Sequence, residues 1–395
     1  MTTSSETEVS KNFFTAKEIA ATADYWEVGV DPGSGFAIAY ATPVKIRIEG
    51  RNEIKERGDI YKLTMPSLIG NISLEELVGS RALQEGAKPS SVLQPQEYII
   101  RLPDAKTDKV VGKWAEIEGK SFTPAKGLAE RYWGEHVKQL VLTLISAITQ
   151  TPKVRVRLIV GLPWSLYEQP GNRTLVSRNL EKTHHYKFNG EECETTIIVG
   201  AVVAEGYAPI AYADEIDGDQ LSCDLGERTV IALYAHGLTI LYDRCKSEEY
   251  GIGNTNDAII KRIKRDYKKA LKLSEVREYL RKFTAGEYLP PLTTPVKTLE
   301  DKDLRVLFEE QITTDWTPIQ TMLGAMLNVE GAGVGTDIKR LFLSGGGAAV
   351  HQKNFQNYLP STDILLAPDA QNQNALYYHD LARTIERGKP DVWKR

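Results

Sequence analysis

Two stretches decide the fold: Val28-Gly-Val-Asp-Pro-Gly-Ser-Gly-Phe-Ala-Ile-Ala-Tyr40 and Leu221-Ser-Cys-Asp-Leu-Gly-Glu-Arg-Thr-Val-Ile-Ala-Leu-Tyr234. Each reads as a short apolar strand, an Asp-x-Gly turn and a second apolar strand. Their aspartates, Asp31 and Asp224, stand 193 positions apart in a chain of 395 residues, close to half its length. Asp and Gly are ordinary hairpin-turn residues, so either turn alone is unremarkable. The pair at half-chain spacing predicts an internal duplication: two α/β domains that face each other across a cleft.

The rest of the chain is consistent with that layout. After each hairpin the pattern moves toward strand–helix alternation. Val44–Ile48 and Tyr98–Leu102 read as strands, and Tyr132–Ile148 carries apolar residues at helical spacing. Val154–Leu162, Thr195–Val199 and Ile338–Leu343 read as further strands, and Leu238–Tyr242 as part of a meander. The small-residue run Gly200–Ala213, which contains Glu205, reads as a helix. Thr317-Pro318 reads as a helix start, with Thr as N-cap and Pro at the first helical position. Asn374–Ile385 reads as the last helix.

Composition narrows the class. Lys and Arg number 49 and Asp and Glu 53, a net charge of −4, which argues against strong direct binding of nucleic acid. Cys193, Cys223 and Cys245 form no C-x-x-C pair, so neither a zinc ribbon nor a disulfide framework is expected. No apolar run reaches the ~18 residues of a membrane span. The N-terminus has no basic-then-apolar leader, and a cytoplasmic protein is expected. His184-His185 would point to opposite sides of a strand and carry no metal expectation. The basic face from Lys261 to Lys269 lies opposite an apolar stripe and reads as a solvated helix face.

The chemistry suggested by the turns is that of phosphate. Glycine turns expose backbone N–H groups to an anion, and carboxylates hold Mg²⁺. Ser344-Gly-Gly-Gly347, between a strand and a helix, adds a nucleotide-sized notch with a helix N-terminus behind it. A buried carboxylate without a partner is costly, so Glu205 among small packing residues is a candidate functional group.

Asp31-x-Gly-Ser-Gly35, Asp224-Leu-Gly-x-x-Thr229 and Leu343-Ser-Gly-Gly-Gly347, in this order, resemble the actin-like ATPase superfamily. Val111-Gly-Lys-Trp-Ala115, Val160-Gly-Leu-Pro163, Val202-Val-Ala-Glu205 and Gly251-Ile-Gly-Asn254 extend the resemblance to the bacterial plasmid-segregation actins, the ParM-like group. The resemblance implies an α/β, actin-like (ribonuclease H-like, duplicated) two-domain fold with a central nucleotide cleft. Residues 1–24, whose first ten are mostly Ser, Thr and Glu, read as a disordered N-terminal tail; the resemblance implies domain I over 25–215 plus 367–395, and domain II over 216–366. Asp31 and Asp224 would hold Mg²⁺, mainly through water. Gly33, Ser34, Gly35, Gly226, Glu227, Arg228 and Thr229 would cradle the phosphates of ATP or GTP. Glu205 would position the attacking water. Gly345, Gly346 and Gly347 would border the ribose, α-phosphate and base, with Gly253 and Asn254 in the turn of the second domain. The implied function is a filament-forming ATPase that segregates plasmid or other DNA through a DNA-binding adaptor. A non-hydrolysing scaffold and a small-molecule kinase are the alternatives. One departure stands out: Ile38 occupies the place where the family usually has a phosphate-reaching Lys, and Arg228 is a candidate substitute.

Overall fold

The computed structural model describes residues 14–81, 93–115, 128–214, 218–327 and 338–385. The hairpin strands β1 (Tyr25–Asp31) and β2 (Phe36–Glu49) pair antiparallel, with Asp31 opposite Ile38. On its other side β1 pairs parallel with β8 (Lys153–Leu162), which pairs parallel with β10 (Glu191–Ala204). Around this centre, β3 (Asn52–Arg57) and β4 (Tyr61–Pro66) join β2, and β9 (Thr183–Phe188) joins β10. Then come β6 (Tyr98–Arg101), β7 (Asp108–Val111) and β5 (Ile69–Ile72), completing ten strands.

The second sheet repeats the same plan. Here β11 (Asp219–Leu225) pairs antiparallel with β12 (Val230–His236) and parallel with β17 (Ile338–Ser344), and β17 pairs parallel with β18 (Asp363–Leu366). Short strands β13 (Thr239–Ile240) and β14 (Lys246–Glu248) edge it, and β15 (Leu292–Thr293) with β16 (Thr298–Leu299) makes a separate ribbon. Both halves thus place a hairpin first and add parallel strands to its leading strand, so Asp31 and Asp224 lie at the ends of equivalent central strands, Asp224 one residue before the last.

Period-two alternation explains how β1 is buried on both faces. Val28 and Val30 join the core with Val137, Val141 and Leu144 of the helix Glu135–Thr149. On the alternate face Gly29 and Asp31 meet the helix Gln373–Thr384, Asp31 through a hydrogen bond with Asn374. Gly29 is required there, because a Cβ would overlap the backbone N of His379. At the far end of that helix, Arg157 Nη1 donates to the carbonyls of Ala382 and Ile385, both at 2.9 Å. The same guanidinium lies 3.5 Å from Glu27, which also binds Arg57 at 2.7 Å. This charge at the C-terminal end of the helix complements its dipole and fixes its position along β1.

Three expectations are corrected. The run Gly200–Ala204 is strand, not helix: β10 continues to Ala204, with a register shift between Val199 and Ala201. Only Ala208–Ala211 forms a helix within the expected span. The strand is covered on both sides, with Val202 against the first core and Ala201 and Val203 against Tyr378, so its small apolar run lacks the alternation that marks a half-buried strand. Second, Thr317-Pro318 does not start a helix. The helix runs Asp301–Leu327 through Pro318, which is exposed, so water can take the carbonyl its ring leaves unbonded. Third, the tail expected over 1–24 ends earlier: Ala16–Ala21 is a helix capped by Thr15 and Glu18, with Ile19 fully buried. The remainder of that tail, 1–13, lies outside the described residues, as does 386–395. Among the described residues, no helix is long and apolar enough to cross a membrane.

Candidate functional site

A cleft of about 1160 Å³ lies between the two sheets. Its floor is made of strand ends. Asp31 ends β1, Glu205 follows β10 with its N–H donating to Leu162 O at 2.9 Å, and Asp224 lies one residue before the end of β11. All three carboxylates are more than nine-tenths buried: Asp31 is 8%, Glu205 5% and Asp224 6% exposed.

The walls come from glycine turns. Gly33, Ser34 and Gly35 line the cleft from one side, and Gly226, Glu227 and Thr229 from the other. Each turn is closed by its own hydrogen bonds. Ser67 Oγ donates to Gly33 O, and Gly226 N donates to Thr229 O at 2.8 Å. Gly345 and Gly346 line the cleft at the start of the helix Ala348–Tyr358. Gly345 has φ +83°, a left-handed conformation, and a Cβ there would overlap Asp224 Oδ1. The last wall is helical: Ile252 and Asn256 of the helix Ile252–Tyr267, and Leu273, Arg277 and Arg281 of the helix Leu273–Thr284.

Four expected residues lie outside the lining. Arg228 is exposed and is not among the residues that line the cleft. Gly253, Asn254 and Gly347 support the turns from behind. Gly253 N donates to Glu227 O at 2.7 Å, Asn254 Oδ1 caps its helix through Gly251 N at 3.1 Å, and Gly347 N donates to Leu225 O at 2.8 Å. Ile38 does line the cleft, buried against Ala375, and brings no charge.

The structure also brings in residues that the sequence reading passes over. Asn374, in the first turn of the helix Gln373–Thr384, bridges the two halves. Its Nδ2 donates to Asp224 Oδ2 at 2.6 Å, and its side chain also hydrogen-bonds Asp31. Its Oδ1 accepts from Gly206 N at 3.1 Å, next to Glu205. Arg131 and Tyr132, at the end of the helix Leu128–Trp133, form a second link. Arg131 Nη2 donates to Tyr132 Oη at 2.9 Å, and the Tyr132 hydroxyl hydrogen-bonds the Glu205 carboxylate. Glu205 Oε1 has no partner among the described residues.

Burial and crowding set the charge state of the floor. Burial, with the nearby Asp224 charge, pushes Asp31 up to about 7. Burial pushes Asp224 up to about 6, opposed by its bond from Asn374. Glu205 is held well above the usual carboxylate range by burial, then by Asp31 and Asp224, with Arg131 and Tyr132 opposing. A cation between the aspartates would therefore relieve repulsion and lower all three pKa values.

The residues present fit a Mg²⁺-nucleotide. The first turn is tight enough to need glycine: at Gly33 a Cβ would come within 2.8 Å of Phe36 O. Glu205 keeps an unpartnered, buried oxygen aimed into the cleft. Among the described residues, no three side chains converge as a direct metal-ligand set. Two separated aspartates suit the waters of a hydrated cation.

Residues 50–207 match the family described as actin-like proteins, N-terminal domain. No curated protein matches the chain in sequence. Solved structures share its fold along nearly the whole length. An archaeal actin homologue, Ta0583, solved in complex with ADP, is 16% identical with a TM-score of 0.61, covering 90% of this chain and 99% of its own. The actin-like protein Alp7A is 15% identical with a TM-score of 0.62, covering 93% and 98%. Bacillus thuringiensis ParM with AMPPNP is 12% identical with a TM-score of 0.59, covering 92% and 98%.

Proposed function

We propose that this chain, a member of the actin-like superfamily by its fold and its N-terminal domain, binds and hydrolyses a nucleoside triphosphate and assembles into filaments in response. The observation that carries the reading is the convergence of Asp31, Asp224 and Glu205, from both halves, on the floor of one glycine-walled cleft. The nucleotides bound by two of the similar structures support it.

In this reading the chain's work is positioning and charge stabilisation, which is what phosphoryl transfer asks of a protein. Backbone N–H groups of Gly33–Gly35 and Gly226–Thr229 hold the phosphates, and Gly345 and Gly346 border the sugar. Bound Mg²⁺ supplies charge neutralisation at the phosphates. Asp31 and Asp224 hold its waters, and Asn374 keeps the two carboxylates in register. Tyr132 bonds one oxygen of Glu205 and leaves Oε1 to orient the attacking water and accept its proton. Asn256, buried in the helical wall with an unpartnered Oδ1, faces the region where the base would lie.

A ligand that touches both halves favours their closed arrangement by its differential affinity. Head-to-tail contacts between closed copies that do not complete a ring generate a filament. The resemblance of the Asp31, Asp224 and Leu343–Gly347 motifs to the plasmid-segregation actins supports plasmid or other DNA as cargo. The net charge of −4 favours an adaptor over direct DNA contact, in the cytoplasm. A scaffold that assembles without turnover is the second reading, favoured by the apolar Ile38 at the phosphate side of the cleft.

The test is phosphate release with light scattering after adding Mg²⁺ and ATP or GTP. Scattering should rise with nucleotide and decay as phosphate appears. Glu205→Gln should still bind nucleotide and assemble, with hydrolysis reduced by ~10²-fold or more. Unchanged turnover in that variant refutes the role of Glu205. A rise in scattering without phosphate release from the unaltered chain selects the scaffold.

A further inference from the structure

The two phosphate-facing turns contribute no usable cation. Ile38 lies at the first, and Arg228 is exposed beside the second. A triphosphate would nevertheless enter a floor that already holds three carboxylates. Among the described residues five basic side chains line the cleft, and four are accounted for. Lys113 and Lys272 are exposed at its rim. Arg277 binds Glu227 at 2.9 Å and lies over the Phe36 ring. Arg281 is paired with both Glu278 and Glu287.

Arg131 is different. It is 6% exposed and sits with Asp31, Tyr132 and Glu205 at the deep end of the cleft. Among the described residues its guanidinium donates one hydrogen bond, to Tyr132 Oη, and its Nε is buried with no partner. No ion pair joins it to a carboxylate among the described residues. A guanidinium carries five donors, and burying them unfilled is costly. A planar fork of donors matches phosphate oxygens better than any other side chain does.

We propose that Arg131 is the cation that meets the terminal phosphate of the bound triphosphate, so that the chain distinguishes triphosphate from diphosphate through this one side chain. The inference rests on the nucleotide-binding reading of the cleft. Tyr132 couples the two functions, because it takes a hydrogen bond from Arg131 and gives one to Glu205. The group that senses the terminal phosphate therefore also fixes the carboxylate beside the attacking water.

The experiment is equilibrium titration of the full chain with fluorescent ATP and ADP analogues in Mg²⁺, for the unaltered protein, Arg131→Gln and Arg131→Lys. Melting temperatures are measured alongside. The unaltered chain should prefer the triphosphate. Arg131→Gln should lose about 10- to 100-fold of that preference, the size of one charge-assisted hydrogen bond, while its diphosphate affinity stays within about twofold. Arg131→Lys keeps the charge without the fork and should fall between the two. If Arg131→Gln fails to fold, Arg131→Lys decides the matter by the same ratio. A triphosphate-to-diphosphate ratio unchanged in the folded variants overturns the proposal while leaving the nucleotide site intact. Binding of neither nucleotide by the unaltered chain overturns the proposal together with the reading of the cleft.

Discussion

Replacing Asn374 by Ala tests how the two halves are joined. The change removes the donor to Asp224 at 2.6 Å, the bond to Asp31 and the acceptor for Gly206 N at 3.1 Å, all buried. A hydrogen bond to an ionised group contributes about 1.5–3 kcal/mol and one between neutral groups about 1 kcal/mol. The charge state decides which figure applies. Asp31 and Asp224 titrate near 7 and 6 in the folded chain, against 3.8 for an ordinary Asp. Both pKa values are raised on folding, so the folded state binds more protons than the unfolded state between about pH 4 and 7. The unaltered chain therefore loses stability as pH rises through that window. At pH 8 both aspartates are ionised, and losing Asn374 should cost roughly 4 kcal/mol or more. At pH 5 both are protonated and the cost should be about 2–3 kcal/mol. At roughly 2 °C per kcal/mol for a chain of this size, melting should drop by about 8 °C at pH 8 and about 5 °C at pH 5. Mg²⁺ with nucleotide should narrow the gap at pH 8, since it relieves the same repulsion. Thermal melts of the unaltered chain and the variant at both pH values are the assay. An equal drop at pH 5 and pH 8 would show that Asn374 acts through packing alone and refute its assignment as a bridge between the carboxylates.

Two further substitutions probe neighbouring parts of the cleft. Tyr132→Phe removes the hydroxyl that orients Glu205 and opposes its raised pKa; nucleotide affinity should hold within about twofold while hydrolysis falls on the order of 10-fold, read from phosphate release at saturating nucleotide. Gly345→Ala forces a Cβ onto Asp224 Oδ1 in a left-handed backbone, so it should destabilise the chain by at least the ~1–2 kcal/mol of that conformation and weaken Mg²⁺-nucleotide binding more than 10-fold, measured by melting and titration.

The fold was legible because its signal is repeated. Two Asp-x-Gly hairpins at half-chain spacing imply two similar sheets, and strand pairing in both halves follows one plan. The corrections come from places where a local pattern has two structural meanings. A short apolar run evenly half-buried on both faces, as at Gly200–Val203, carries no alternation to separate strand from helix. Pro318 looks like a helix start because Pro suits that position, but an exposed turn within a long helix also accommodates it. The site was legible where one turn supplies several groups, as at Gly33–Gly35. It was illegible where a single side chain arrives from a distant element. Asn374 lies 150 residues from Asp224, and Arg131-Tyr132 lies ahead of a strong apolar helix that hides it.

The position of Glu205 just past the end of a strand does more than correct a boundary. In an open sheet of parallel strands, ligands bind beyond the carboxyl ends of the strands. Three parallel neighbours, β1, β8 and β10, end together there, and Asp31 at the end of β1 and Glu205 just past β10 line the cleft. In the second half β11 and β17 do the same: Asp224 lines the cleft, its register partner Ser344 ends β17, and Gly345 just past it lines the cleft. A helix would have left the direction of Glu205 to helical phase. A strand end next to β8 determines it: the N–H of Glu205 bonds Leu162 O, and its side chain emerges beside Asp31. The carboxylates therefore converge because the duplicated sheet places equivalent strand ends opposite each other. Gly206, with φ +82°, then turns the chain away and gives its N–H to Asn374. One side chain thereby registers the end of β10 against both aspartates, so a shift of either sheet would be felt at all three carboxylates at once.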